Sequence, residues 1–127
     1  MRIRVAILVM KDWRERVFLR AELTEQGVRT FAVEVMDEAD EWISDNRIVP
    51  MILIYDDRFQ KNPSEDIKHL SRYVSSFPIL IIAGASEMRT REFKHSGFNH
   101  IVLRPVSIET VVKKVKEILS QSAIGPT

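Results

Sequence analysis

The chain alternates between short, wholly apolar runs and longer stretches whose apolar residues recur with a helical period. Runs at residues 3–10, 28–35, 51–55, 78–83 and 100–103 predict five strands. Met51-Ile52-Leu53-Ile54-Tyr55 and Pro78-Ile79-Leu80-Ile81-Ile82-Ala83 carry no polar alternation, which suits strands covered on both faces. Arg29, Thr30 and Glu34 interrupt the second run and place it at a sheet edge. A helix is predicted over 12–26, with Phe18, Leu19 and Leu23 as its apolar contacts and Gly27 ending it. A second covers 37–45, with Ala39, Trp42 and Ile43 turned to the core. A third starts at an Asn62 cap with Pro63 at its first position and runs to residue 73, burying Ile67, Leu70 and Tyr73. A short, charged helix over 87–96 stops at Gly97. The last, capped by Ser107, has the clearest period: Ile108, Val111, Val112, Val115, Ile118 and Leu119 inside, Lys113, Lys114, Lys116 and Glu117 outside. Residues 121–127 lose the pattern and read as a tail or the start of a linker.

Alternating strands and helices, with strands too apolar to face water, specify a parallel sheet sandwiched between helical layers. Right-handed crossovers leave few topologies, and five strands suit the flavodoxin-like order 2-1-3-4-5, a (βα)5 domain over residues 1–120. A chain of 127 residues buries roughly two-thirds of its unfolded surface and needs no covalent staple. With no cysteine, disulfides, thiolate catalysis and cysteine-bound zinc are excluded, and a cytoplasmic setting is expected. The 19 basic and 18 acidic residues balance, so net charge implies no polyanionic partner. No window approaches the ~20 apolar residues of a membrane span, and the N-terminal run is too short for a signal peptide.

Ligands of open α/β sheets gather outside the carboxyl ends of the strands, where Asp56 closes the third run and Asp57 follows. The loops after the first, third and fifth strands bring Lys11, Asp12, Asp56, Asp57 and Arg104 toward one place. Two carboxylates from separate strands can hold a hard cation such as Mg²⁺, and Arg104 can balance them or grip a phosphoryl group. Other chemistry is weakly supported. Gly27, Gly84, Gly97 and Gly125 stand alone, forming no phosphate loop, and Ser44, Ser64 and Ser86 lack a nucleophile-elbow setting. His69, His95 and His100 share no metal-ligand spacing.

From residue 2 to 120 the chain resembles the CheY-like receiver domain of two-component response regulators. The first strand of that family ends in an acidic pair; Lys11 and Asp12 stand there, so one acid is kept and one is a base. The phosphoacceptor aspartate matches Asp56, followed by Phe59 and Gln60 where Met or Leu and then Pro are usual. The switch Ser or Thr falls on Ala83, ahead of the expected small residue Gly84. The family's Gly, six residues, Lys-Pro pattern appears as Gly97 through Arg104-Pro105, with Arg for Lys, and the aromatic switch position holds Ile101.

The resemblance implies phosphoryl transfer onto Asp56 assisted by Mg²⁺ at Asp12 and Asp56, but the departures fall on that chemistry. Ala83 has no hydroxyl to follow a phosphoryl group. Lys11 puts positive charge where a metal-supporting carboxylate belongs, so Mg²⁺ binding is expected to be weak or absent. Arg104 replaces a compact ammonium by a planar fork. The favoured reading is therefore a phosphorylation-degenerate pseudo-receiver in phosphorelay signalling, not an enzyme. Its expected partners are proteins: a histidine kinase, an output domain or a second copy. Nucleic acid would be met only through a separate output domain. The partner face is expected at Arg89, Arg91, Phe93 and Lys94, with Lys113 and Lys116 on the last helix. Two alternatives stay open: an active phosphoacceptor using Asp56 and Mg²⁺, and a small flavodoxin-like enzyme or ligand-binding domain.

Overall fold

The computed structural model describes residues 1–84 and 86–123. Ten elements alternate along the chain: β1 (Ile3–Val9), α1 (Trp13–Glu25), β2 (Thr30–Val33), α2 (Met36–Ile43), β3 (Ile48–Asp56), α3 (Pro63–Ser71), β4 (Ile79–Ala83), α4 (Glu87–His95), β5 (His100–Leu103) and α5 (Ile108–Ala123). The strands form one parallel sheet in the order β2-β1-β3-β4-β5. This is the flavodoxin-like arrangement expected from the pattern, with β2 at an edge.

Side chains alternate across each strand, so the two core layers divide by parity. Ala6, Leu8, Ile52, Ile54, Leu80 and Ile82 pack under Leu19 and Leu23 of α1 and Val111, Val115 and Ile118 of α5. Val5, Ile7, Leu53, Tyr55, Ile81 and Ala83 pack under Met36 and Ala39 of α2, Ile67 and Leu70 of α3 and Phe93 of α4. Both faces of β1, β3 and β4 are therefore covered, the physical reason for their unbroken apolar runs.

Several boundaries differ from the sequence expectation. β3 begins at Ile48, not at residue 51: Val5 pairs with Pro50 and Ala6 with Ile52, and this shift leaves Met51 as the extra residue of a bulge. A proline cannot donate to a ladder, and the bulge lets the strand pass it. Phe18, expected to be an internal contact, is 62% exposed, and Trp42 is 38% exposed, tilted against Phe31 with ring centroids 4.6 Å apart at the sheet edge. α3 stops at Ser71, so Tyr73 lies beyond it in a turn. α5 continues past residue 120 to Ala123, into the stretch read as tail; residues 124–127 lie outside the described residues. Among the described residues, no helix is long and apolar enough to cross a membrane.

Candidate functional site at the carboxyl edge of the sheet

Asp12 leaves β1 and immediately caps α1: its Oδ1 accepts hydrogen bonds from the backbone N–H groups of Arg14 (3.0 Å) and Glu15 (3.2 Å). These bonds to the ionised form, the Glu15 N–H foremost, hold the Asp12 carboxyl below its ordinary value. The second oxygen, Oδ2, receives Arg58 Nη2 at 2.9 Å, and the same nitrogen lies 2.8 Å from Glu15 Oε2. Glu15 is thus drawn into the pocket from the first turn of α1.

Asp56 ends β3 on the α1/α5 side and is fully buried. Its Oδ1 accepts from the Arg58 backbone N–H (3.2 Å) and from Arg104 Nε (3.3 Å). Arg104 Nη2 approaches Oδ2 to 2.9 Å without the alignment of a hydrogen bond, so that contact is one of charge with charge. Burial pushes the Asp56 carboxyl above its ordinary value, and Arg104 offsets only part of this. Arg104 also grips Glu15, with Nη2 to Oε1 at 2.9 Å and Nη1 to Oε2 at 3.3 Å. Burial disfavours the guanidinium charge, but its bonds to Glu15 and Asp56 win and its proton is held more tightly than usual.

Three carboxylates and two guanidinium groups therefore interlock: Asp12 and Glu15 share Arg58, while Glu15 and Asp56 share Arg104. Arg58 is fixed from its other side by Phe59, whose ring centroid lies 5.0 Å from the guanidinium carbon. Phe59 has φ 64°, a left-handed conformation that costs a bulky residue about 1–2 kcal/mol.

The sequence-predicted residues are only partly gathered here. Asp12, Asp56 and Arg104 meet as expected. Asp57 turns away and accepts from the Gly84 N–H at 3.1 Å, with burial raising its carboxyl above the ordinary value. Lys11, assigned the role of the pocket's cation, makes no ion pair among the described residues; Arg58 takes that place, because its side chain folds back across the loop onto α1. Glu15 and Arg58 were both missed. Glu15 stands three residues after the capping Asp12 and Arg58 two after Asp56, spacings that could have flagged them.

The Mg²⁺ that the sequence resemblance implies would meet carboxylates already engaged. Asp12 is committed to the α1 N-terminus and to Arg58, and the Asp56 oxygens face Arg104. Mg²⁺ demands near-octahedral oxygen ligands with retained waters, and two guanidinium groups held between these carboxylates are incompatible with it. The residues as arranged do not fit the ion.

The expected switch positions are apolar and packed. Ala83 is fully buried at the end of β4, and Ile101 packs partly buried against the α2/α3/α4 core layer. On α4 the expected partner face must be corrected. Phe93 is fully buried, with ring centroids 6.5 Å from Tyr55 and 5.9 Å from Phe98, because α4 needs one large anchor to seat it on the sheet. Arg89 is half-buried and contacts Ser64 and Glu92, each at 3.4 Å. Arg91 and Lys94 are exposed, together with Met88 and Leu103. On α5, Lys116 bonds Gln26 at 2.8 Å.

Away from this edge, α2 and α3 bring His69 beside two acids. Asp40 Oδ2 lies 2.9 Å from His69 Nδ1 and its Oδ1 accepts from the Tyr73 hydroxyl at 2.7 Å. The ligand atoms of Asp37, Asp40 and His69 lie within 4.8 Å of one another, a proximity the histidine spacings did not reveal.

Neither a protein-family model nor a curated protein matches the sequence. Solved structures do match. A CheY-like response regulator receiver domain protein from Methanospirillum hungatei superposes with a TM-score of 0.79 at 15% identity, covering 97% of this chain and 98% of that one. The signal receiver domain of a LuxO repressor protein from Vibrio parahaemolyticus gives 0.77 at 17% identity, over 98% of this chain and 95% of that one. An orphan response regulator of H. pylori gives 0.75 at 16% identity, over 92% and 96%. The chain has the fold of CheY-like receiver domains.

Proposed function

We propose that the protein is a receiver-like signalling module of the two-component type whose acidic pocket is closed by its own arginines, and that it acts through protein contacts without phosphorylation. The observation that carries this reading is the pairing of a fully buried Asp56 with Arg104 beside an Asp12 already bound to Arg58. Phosphoryl transfer to an aspartate needs a free carboxylate oxygen, room for an in-line donor and cations that neutralise the transferring group. Here both guanidinium groups neutralise carboxylates of the chain itself. Buried Ala83 offers no hydroxyl, and Ile101 offers no aromatic ring, so the two groups that would relay a change at Asp56 are missing. One conformation of the surface around α4 and β5 is the consequence. Partner contacts then fall to the exposed Arg91, Lys94, Met88 and Leu103.

Acetyl phosphate and a fluoroberyllate mimic, each with Mg²⁺, test this directly by intact mass and by a ¹H–¹⁵N shift map. The expected result is no stoichiometric adduct and no shift propagating to α4. Rapid labelling abolished in Asp56→Asn would restore the active phosphoacceptor reading.

A further inference from the structure

The outer side of α1 carries an apolar stripe that stays exposed among the described residues. Trp13, Val17 and Ala21 recur at i, i+4 and i+8, and Phe18 lies beside them; Trp13 is 61% and Val17 54% exposed. Leu19 and Leu23 anchor another side of the helix in the core, so this stripe is turned to solvent, with Phe18 bordering the groove between α1 and α5. Single exposed apolar residues are ordinary, but a row along one helix marks an interaction surface.

The charges on α1 point to its occupant. A helix is stabilised by acids at its start and bases at its end. Here Arg14 stands in the first turn, Glu22 and Glu25 stand in the last two turns, and the last turn has no base. Glu15, the acid of the first turn, is spent on the arginines of the pocket. Arg14 lies over the Trp13 ring at 5.6 Å, and neither it nor Glu25 forms an ion pair among the described residues. Arg14 and Glu25 therefore oppose the dipole of α1, even though Asp12 caps its start. The arrangement becomes favourable against an antiparallel copy of itself, where the first half, with Arg14, Glu15 and Arg16, meets the second, with Arg20, Glu22 and Glu25, and opposite net charges face each other.

We infer that two copies of this chain associate through antiparallel α1 helices about a two-fold axis passing between Val17 and Ala21. An isologous contact places residue i of one copy opposite residue j of the other, and j opposite i. With the axis at the height of residue 19, Val17 opposes Ala21 of the second copy and Arg14 comes level with Thr24, one residue from Glu25, whose carboxylate its long side chain can reach. The two ion pairs thus occur at both ends, outside a small-residue centre that lets the helix axes approach to roughly 8–10 Å. Trp13 and Phe18 close the flanks. This contact is independent of the state of Asp56 and leaves the α4/β5 surface free.

Sedimentation velocity on the whole chain across a concentration series up to about 1 mM measures the association, with far-UV circular dichroism to check folding. All substituted positions are exposed, so each variant is expected to fold. A reversible dimer is expected, weakened roughly tenfold or more by Arg14→Glu, which faces like charges at both ends. Combining Arg14→Glu with Glu25→Arg should recover the wild-type affinity to within roughly threefold, and Val17→Glu should abolish it. In a Trp42→Phe background, Trp13 emission should shift to shorter wavelength as dimer forms. A monomer at every concentration overturns the inference and leaves the stripe to a different protein. So does a dimer indifferent to Arg14→Glu, or a charge-swapped pair that fails to recover.

Discussion

Arg58 and Asp12 are 46 residues apart, yet Arg58 Nη2 sits 2.9 Å from Asp12 Oδ2. The pairing joins the loop after β3 to the cap of α1 and occupies the place where the sequence resemblance implies a metal ion. Its removal is the sharpest test of what closes this edge.

Replacing Arg58 with Ala should release Asp12 and Glu15 and let a divalent cation approach. In a Trp42→Phe background, the neighbouring Trp13 should show no saturable quench with millimolar Mg²⁺ when Arg58 is present, and one when it is absent. The same change should lower stability by about 1 kcal/mol, the scale of partly exposed ion pairs. A quench of equal size in both proteins would show that Arg58 does not exclude the ion.

Asp56 has its carboxyl raised by burial, and the sign of its pH effect follows. A raised folded value means the proton binds the folded state more tightly, so this contribution is complete below the unfolded value near 3.8 and is lost as pH rises through the folded one. Asp56→Asn removes that loss. The melting temperature of the variant relative to wild type should therefore be more favourable at pH 7 than at pH 3.5. An unchanged difference across this range would mean that Arg104 fully compensates burial.

Phe93 and Arg91 sit two residues apart on α4 with opposite exposures. Phe93→Ala empties a core position and should cost about 3–5 kcal/mol, a large share of a marginal total. Arg91→Ala should stay within about 0.5 kcal/mol. Chemical denaturation separates them, and equal effects would contradict the packing of Phe93 on Tyr55 and Phe98.

The chain's two tyrosines are both held protonated. Burial, then the hydrogen bond to Asp66, raises the Tyr55 hydroxyl strongly; burial and the bond to Asp40 push Tyr73 up to about 12. Absorbance at the tyrosinate band should show little ionisation of the folded protein at pH 10, with both groups appearing together on alkaline unfolding. Because these values are raised, their stabilisation is present below the unfolded value of 10 and lost above it. One tyrosine ionising at its ordinary pH would place it outside its bond.

What the sequence determined by itself was the architecture and the residues at the sheet's carboxyl edge. Five apolar runs separated by capped, periodic helices admit few sheets, because every backbone group and every apolar face must find cover locally. Asp12, Asp56 and Arg104 were legible because each ends a strand or follows one. Tertiary structure decided which cation fills the pocket: Arg58 reaches Asp12 and Glu15 across the sheet edge, whereas Lys11, adjacent in sequence to Asp12, pairs with neither. It also decided exposure within helices. Phe93 and Phe18 both sit on charged helices, and the face by which each helix docks on the sheet sends one ring to the core and the other to solvent. Local pattern fixes an element and its buried stripe, but long side chains choose partners by distance in space, which no spacing along the chain records.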